Sequence, residues 1–550
     1  MNDIWVRSSV DIILNIFTLD NPNFEFIDNH EDAEYTFSCQ QSAIEQIPTD
    51  LYVSTEGSDE NSGLTPEEPL KTISYANILI KADSLDPRNI YVADGLYSTL
   101  QTGEHLPINL KSYVSFIGES EENTIIDGDE YYPIMSGWDG EREVGIKNFT
   151  FQNCKLASHH WAPLTMMFTI IDDIWKRFSV TLENLTIKNT TPRTSDDGPR
   201  ALELVDGDNI EMKNISITDN TCGAAVHLWT MNLNAENFIV NNTQYSSGSE
   251  SSHGNGLILL RHNSLFADDN PDIIKNLLLC DNISISDFGF PALTFSVAGG
   301  CEAYVINGTI TENYQQGMAG GIIRVDSGSD LSLINSIVHN NVGGHPVYLN
   351  GDDVEFTVDH CLFTNGYEDL FIVGDPVINW EEGNIEGDPL FNIDGDYPFA
   401  LMELSPCIDA GTLNLPEGIE LPEFDLAGNP RIVGVTIDMG AYEYQDSVSV
   451  SEEPQVLKYD FLISNFPNPF KSSTKIKLEL KEEAHVQVEV YNIKGQKVRT
   501  LMDVQTVPGK FELIWCGKDE SDKKVASGTY FYKLIIDGED KAYRNMVLLH

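Results

Sequence analysis

One short phrase recurs between Val144 and Gly366, and its period constrains the fold more than any other feature of the chain. The copies are VGIKNFTFQN (144–153), VTLENLTIKN (180–189), IEMKNISITDN (210–220), LNAENFIVNN (233–242), IIKNLLLCDN (273–282), AYVINGTITEN (303–313), LSLINSIVHNN (331–341) and VEFTVDHCLFTN (354–365). Each holds a short alternating strand, usually an Asn, a second short strand, and Asn again. The first Asn falls at Asn148, Asn184, Asn214, Asn237, Asn276, Asn307 and Asn335, and the eighth copy has Asp359-His360 there. Spacings between these positions run from 23 to 39 residues. A strand-rich repeat of this length predicts a solenoid of stacked coils. Asn tolerates the left-handed backbone of a tight corner, and stacked Asn amides can bond from coil to coil. The expected fold is all-β, a right-handed parallel β-helix.

In such a helix the inward positions, Ile146, Phe149 and Phe151 in the first copy, stack into one apolar column. Burial at ~25 cal/mol per Å² makes that column the main source of stability. Where the repeat is long, the extra residues must leave the coil as surface loops, and loops on a rigid scaffold carry function. The longest excursions are 154–179, 190–200 and 243–272.

The formal net charge is −53 and is unevenly spread. Residues 461–550 carry 14 Lys+Arg against 12 Asp+Glu, while the first 460 carry 19 against 74. That break marks a domain boundary. So acidic a body argues against nucleic acid as a partner, because such binding neutralises phosphates with cations. It suits an extracellular surface, solvated or holding Ca²⁺. The eight cysteines are far apart, with no C-x-x-C, so structural zinc of the paired-cysteine kind is not expected. Cys280 and Cys301 lie about one coil apart, close enough to stack or bridge, although buried free thiols suit the column better. No run of 18 apolar residues is present to span a membrane. The N-terminus has Asp3 where a signal peptide carries positive charge, and Asp11 and Asn15 interrupt its apolar run. Met1 then reads as an internal or mis-assigned start, or the sequence as a fragment, with an intracellular place the alternative.

Residues 1–48 form an unassigned N-terminal segment, and 49–445 the expected β-helix. Within 51–82 a strand and a Pro-punctuated loop lead to an apolar-periodic stretch able to form a short capping helix. The phrase from Tyr52 to Ile73, Y-V-S-x-x-G-S-D-x-N-S-G-x-T-P-x-x-P-x-K-T-I, resembles the opening of bacterial secreted β-helix proteins, some polysaccharide lyases among them. The run D-P-L-F, S-P-C-I-D-A-G, D-x-x-G-x-P-R and D-M-G-A-Y-E-Y, within 384–444, resembles the terminal segment of choice-of-anchor Q surface proteins. Its Pro389, Pro406 and Pro430 are expected to end the parallel pairing and cover its edge. Asp409, Asp425 and Asp438 are placed to pair with Arg431 or to bind Ca²⁺.

After a linker at 446–460, alternating strands at 474–480, 485–491, 511–515, 529–536 and 543–549 predict a small antiparallel, Ig-like sandwich over 461–550. Its N-F-P-N-P-F, V-Y-N-I-K-G-Q-K-V, W-C-G-K-D and V-A-S-G-T-Y-F-Y-K-L resemble two modules. One is the type A C-terminal sorting domain of the type IX secretion system, and the other the Ig-like domain related to flagellar hook-capping proteins. The resemblance implies the type IX machinery as a partner and a place outside, or on the outer surface of, a Gram-negative cell. A monomer is expected.

Substrate on a β-helix lies along a groove beside one parallel sheet. Two functions from different classes stay open. One is binding of extracellular polysaccharide, as a surface scaffold or adhesin. The other is a carbohydrate-active enzyme, a Ca²⁺-assisted polysaccharide lyase before a glycoside hydrolase. A lyase needs acids to hold Ca²⁺ against a uronate carboxylate and an Arg or Lys to take the C5 proton. A hydrolase needs a carboxylate pair. The candidate catalytic side chains are Arg261, His262 and His253. Those for substrate are His227, Trp229, Arg200 and Trp161, and those for Ca²⁺ are Asp196, Asp197, Asp268 and Asp269. The segments 194–198 and 251–256 superficially match Asp-Asp and Gly-His-Gly elements of polygalacturonases, but their separation exceeds one coil.

Overall fold

The computed structural model describes residues 12–14, 37–39, 46–137, 142–156, 162–167, 169–171, 174–193, 199–230, 232–247, 257–262, 270–286, 295–316, 321–393, 395, 397–445, 461–466, 473–480, 484–492, 496–526, 528–536 and 539–548. The chain divides into two compact units, Met1–Asp446 and Ser447–His550.

The first unit is a parallel β-helix. The strand Val144–Gln152 pairs in parallel with Phe178–Lys188, that strand with Arg200–Thr218, and that one with Leu233–Asn241. The register is the one the repeat dictates. Phe149 opposes Leu185, which opposes Ile215, then Phe238, then Leu277. All five are buried, as are Ile146, Leu182, Met212 and Ala235 in the neighbouring row. Successive copies therefore fill one continuous core.

The corner between the two rows explains the Asn. Asn148, Asn184, Asn214, Asn237, Asn276, Asn307 and Asn335 all have φ between 51° and 62°, and His360 closes the eighth copy at 49°. Among residues with a side chain, Asn accepts this backbone at low cost. Its amide then bridges coils. Asn184 donates to Asn148 Oδ1 at 2.8 Å, Asn214 to Asn184 at 2.7 Å, Asn237 to Asn214 at 2.7 Å and Asn276 to Asn237 at 2.8 Å.

Each full coil has three faces. Face 1 contains Leu164–Met167, the start of Arg200–Thr218, Ala224–Thr230, Ile258–Arg261, Phe295–Ala298, Gly321–Asp326, His345–Asn350 and Leu370–Val373, paired in that order. Faces 2 and 3 are the stretches before and after the Asn corner. At the N-terminal end, the helix Ile73–Leu79 buries Ile73, Ala76 and Leu79 against the column. Its first turn is held by Thr72, which caps Tyr75 N, and by Glu104, which accepts from Ile73 N at 2.8 Å and Ser74 N at 2.9 Å.

The segment 388–444 departs from expectation. It does not finish the column at its edge; it packs along the outer side of face 3. Phe399, Ala441 and Tyr442 cover Leu278 and Cys280, and Leu401, Cys407 and Met439 cover Ile337 and Leu362. The reason lies in the outward positions of face 3. In these coils they are apolar and need cover, and the corner amides supply hydrogen bonds to the covering segment. Asn276 donates to Phe424 O, Asn307 to Asp438 O, and Asn335 exchanges two bonds with Thr412. Inside the segment, the Asp409, Asp425 and Asp438 carboxylates accept backbone N–H groups, and the buried Arg431 donates to the Asp438 and Gly440 carbonyls. Cys280 and Cys301 are both free and buried.

The second unit is a sandwich of two antiparallel sheets. One is Phe461–Phe466, Thr474–Leu480 and Gly509–Trp515; the other is Lys497–Thr506, Ala484–Asn492, Gly528–Ile536 and Glu539–Leu548. Trp515, Val488, Val490 and Tyr532 lie in its core, and Trp515 Nε1 donates to Lys518 O at 2.9 Å.

Candidate functional site

Face 1 is the face whose strands adjoin the long excursions in sequence. The segments 157–161, 194–198, 248–256, 287–294 and 317–320 lead into its strands, and 263–269 leads out of one. Strand alternation then sends every second side chain outward. One outward row runs Thr165, Glu203, His227, Leu259, Ser296, Arg324, Tyr348, Phe371. Beside it runs a second, in which Val205 opposes Trp229 and Trp229 opposes Arg261.

The first row changes character along its length. Glu203, His227, Leu259 and Ser296 are buried, Arg324 and Tyr348 are half-buried, and Phe371 is exposed. At the buried end, Glu203 Oε1 accepts from Arg200 and lies 3.5 Å from His227 Nδ1. Burial lowers the Arg200 guanidinium to about 10, which leaves it charged at neutral pH. At the open end, Arg324 forks onto Asp326 with Nε and Nη2 at 2.7 to 2.9 Å, and Asn350 braces the same carboxylate at 2.7 Å. The Arg324 guanidinium lies over Tyr348, 5.1 Å from the ring centre. Tyr348 stacks on Phe371 at 5.2 Å, and Phe371 on His345 at 4.1 Å. In the second row the Arg261 guanidinium sits 4.8 Å over the Trp229 ring.

Of the residues singled out from sequence, Arg200, His227, Trp229 and Arg261 therefore share one face. His262 does not join them at the surface. It is buried at the corner after face 1, with Nε2 3.2 Å from Asp272 Oδ2. His253, Trp161, Asp196, Asp197, Asp268 and Asp269 lie outside the described residues. Glu203, Arg324, Asp326, His345, Tyr348 and Phe371 escaped the sequence reading. A signal existed: Glu203, His227, Arg324 and Tyr348 stand six or seven places ahead of the copies that begin at 210, 233, 331 and 354.

A second polar feature lies on face 2. Glu302, Asp330 and Glu355 oppose one another on three successive strands. With Asp359 and Glu381 they line a depression of about 460 Å³ beside residues 414–416. Burial raises the Asp330 carboxyl above its usual range, and Glu355 and Glu302 add to the effect. The Asp352 and Asp353 carboxylates are engaged in hydrogen bonds, from Asp375 N and Ser327 Oγ.

Similarity to solved structures includes pectate lyase Pel9A, at 14% identity over 73% of this chain and 98% of that one, with a TM-score of 0.41. It includes the enzymatically active domain of tailspike protein 2 of bacteriophage CBA120, at 9% identity over 83% and 72%, TM-score 0.21. Dimeric latent PorU from Porphyromonas gingivalis matches at 20% identity over 17% of this chain and 10% of that chain, TM-score 0.16. The chain thus spans about a tenth of the PorU chain. No curated protein matches. Residues 465–536 match the model of the FlgD Ig-like domain, in agreement with the sandwich seen there. Residues 55–353, more than half of the chain and most of the β-helix, match a second model, and the chain belongs to that family, described as protein of unknown function (DUF1565).

Proposed function

We propose that face 1 binds a polysaccharide outside the cell, with the chain running across the strands. The observation that supports this most is the open end of the outward row, where Arg324, Tyr348, Phe371 and His345 form a continuous stack. Neighbouring strands lie about 4.7–4.9 Å apart, so a polymer crossing the open end meets these side chains on three successive coils. Aromatic faces take the apolar faces of sugar rings, and the paired cations and amides at the edges take hydroxyl or carboxylate oxygens. The test is titration of the full chain against a panel of neutral and uronate polysaccharides. Removing Tyr348 and Phe371 together, at about 0.5–1.5 kcal/mol per ring, weakens binding roughly tenfold. Unchanged binding in that double variant, or no binding across the panel, overturns the reading.

Arg261 favours a second reading, a polysaccharide lyase. Stacking on Trp229 holds its side chain half-buried at the centre of face 1, a position from which its neutral guanidine form would take a proton α to a carboxylate and become guanidinium. Bound Ca²⁺ supplies charge neutralisation for a uronate carboxylate in such chemistry. Among the described residues of face 1, however, Glu203 and Asp326 are committed to arginines, so they do not form a Ca²⁺ cage. Absorbance of unsaturated ends in the wild type, lost in Arg261→Ala, would move the function from binding to elimination.

The C-terminal sandwich, in this proposal, directs sorting to the cell surface through the type IX machinery. The support is the charge break before 461 and the N-F-P-N-P-F and S-G-T-Y-F-Y phrases. Residues 446–550 fused behind a signal peptide and a reporter carry the reporter to the surface of a type IX-competent host. A reporter left in the periplasm refutes it.

A further inference from the structure

We propose that His262, Asp272 and Cys301 form a zinc site inside the corner that follows face 1. The three residues come from two successive coils, His262 and Asp272 from one and Cys301 from the next. His262 follows the strand Ile258–Arg261, Asp272 opens Asp272–Cys280, and Cys301 precedes Glu302–Ile306. All three are buried, at 8%, 0% and 1% exposure.

Geometry and chemistry agree on the ion. Asp272 Oδ2 lies 3.2 Å from His262 Nε2 and 3.5 Å from Cys301 Sγ, and all three donor atoms are within 4.8 Å of one another. Tetrahedral zinc with bonds of about 2.0–2.3 Å to N, O and S places its donors roughly 3.3–3.8 Å apart, so the two separations from Asp272 fit as they stand and ion binding sets the third, between His262 and Cys301. The other carboxylate oxygen, Asp272 Oδ1, accepts from Leu233 N at 2.9 Å. That bond fixes the carboxylate so that one oxygen alone faces both the imidazole and the thiol, the arrangement a monodentate ligand requires. A mixed N, O and S donor set selects zinc over Ca²⁺ or Mg²⁺, which take oxygen.

Charge also closes. Binding expels the Cys301 proton to solvent, leaving thiolate, carboxylate and neutral imidazole, two negative charges against the 2+ of the ion. Such a neutral cluster suits a buried site. A water molecule completes the fourth position. Hydrogen bonds among the three side chains hold the same atoms together in the metal-free protein, so the two states differ in ligand protonation and not in fold.

The site has a consequence for face 1, because His262 directly follows Arg261. Gly299, on the next coil, has φ of 72°, and a Cβ there would lie 2.8 Å from Arg261 Cγ and 2.9 Å from His262 O. The coil is thus closed tightly over both residues. A metal on His262 would fix the backbone that aims Arg261 at Trp229.

The experiment is equilibrium dialysis of the reduced, metal-stripped full chain against micromolar Zn²⁺ with millimolar Ca²⁺ present, followed by metal analysis. About one equivalent binds to the wild type, and Asp272→Asn and Cys301→Ser each weaken it at least tenfold, the loss expected on removing a ligand. Cobalt gives a second readout that needs no variant, since a Cys301 ligand produces a thiolate-to-cobalt charge-transfer band. No zinc uptake by the folded wild type, a cobalt spectrum without that band, or zinc retained by folded Asp272→Asn and Cys301→Ser would overturn the site.

Discussion

Replacing Asn184 tests the corner on which the β-helix turns. Its Nδ2 donates to Asn148 Oδ1 at 2.8 Å, and its Oδ1 accepts from Asn214 at 2.7 Å. Its φ is 52°. Two hydrogen bonds at about 1 kcal/mol each are lost with the amide, and the neighbouring amides are left short of a partner. A side chain without the Asn compensation adds about 1–2 kcal/mol for the left-handed backbone. Asn184→Leu is therefore expected to cost about 3–4 kcal/mol, while Asn184→Gly keeps the easy corner and costs about 2. The difference between them isolates the backbone contribution from the ladder. Guanidinium unfolding of the full chain, followed by far-UV circular dichroism, reads both as shifts in midpoint at constant slope. If both variants fall within about 0.5 kcal/mol of the wild type, the ladder does not hold the corner.

Three further outcomes follow from the same structure. Burial, and next the Asp438 charge, raise the Glu443 carboxyl to about 7. The folded state then holds a proton that the unfolded state has released, so stability falls as pH rises from about 4.5 through 7. The difference between melting curves of wild type and Glu443→Gln should change across that window, and a difference independent of pH refutes it. Phe238→Ala, at a fully buried position between Ile215 and Leu277, is expected to cost about 3–5 kcal/mol; a loss under 1 kcal/mol in the same unfolding assay would contradict its place in the column. Millimolar Ca²⁺ should raise the melting temperature more than millimolar Mg²⁺ at fixed ionic strength, through oxygen clusters such as Glu302, Asp330 and Glu355. Equal shifts would mean diffuse screening of the acidic body.

How much of this was legible before the structure depends on the range of the signal. The corner Asn announces itself because one backbone conformation recurs in every copy, and the inward Phe149 and Phe151 follow from strand alternation. The strand Lys497–Thr506 was missed because its burial does not alternate: Arg499 to Asp503 are all half-buried or exposed. The outward row of face 1 was half-visible. His227 and Trp229 stood out as residue types, but Arg324 and Tyr348 acquire meaning only when register places them over Phe371. The meeting of His262, Asp272 and Cys301 was hidden for a similar reason. The loops after face 1 differ in length from coil to coil, so no fixed spacing encodes a contact made between two of them. The position of 388–444 along face 3, and not at the column's edge, depended on which outward side chains were apolar.

That flanking segment changes how the β-helix comes apart. A linear stack frays from its free end, because each coil is held mainly by its neighbours. Here Phe424, Asp438 and Thr412 tie one later stretch of chain to the corners at Asn276, Asn307 and Asn335 in turn. Opening the last coil therefore requires lifting a splint that also grips coils well inside the stack. The C-terminal third should exchange its amide hydrogens as one cooperative block, slowly, while the N-terminal coils open in smaller steps. The same contacts join residues as far apart as 148 positions, so the splint can dock only after the coils beneath it exist. It acts as a lock set at the end of folding.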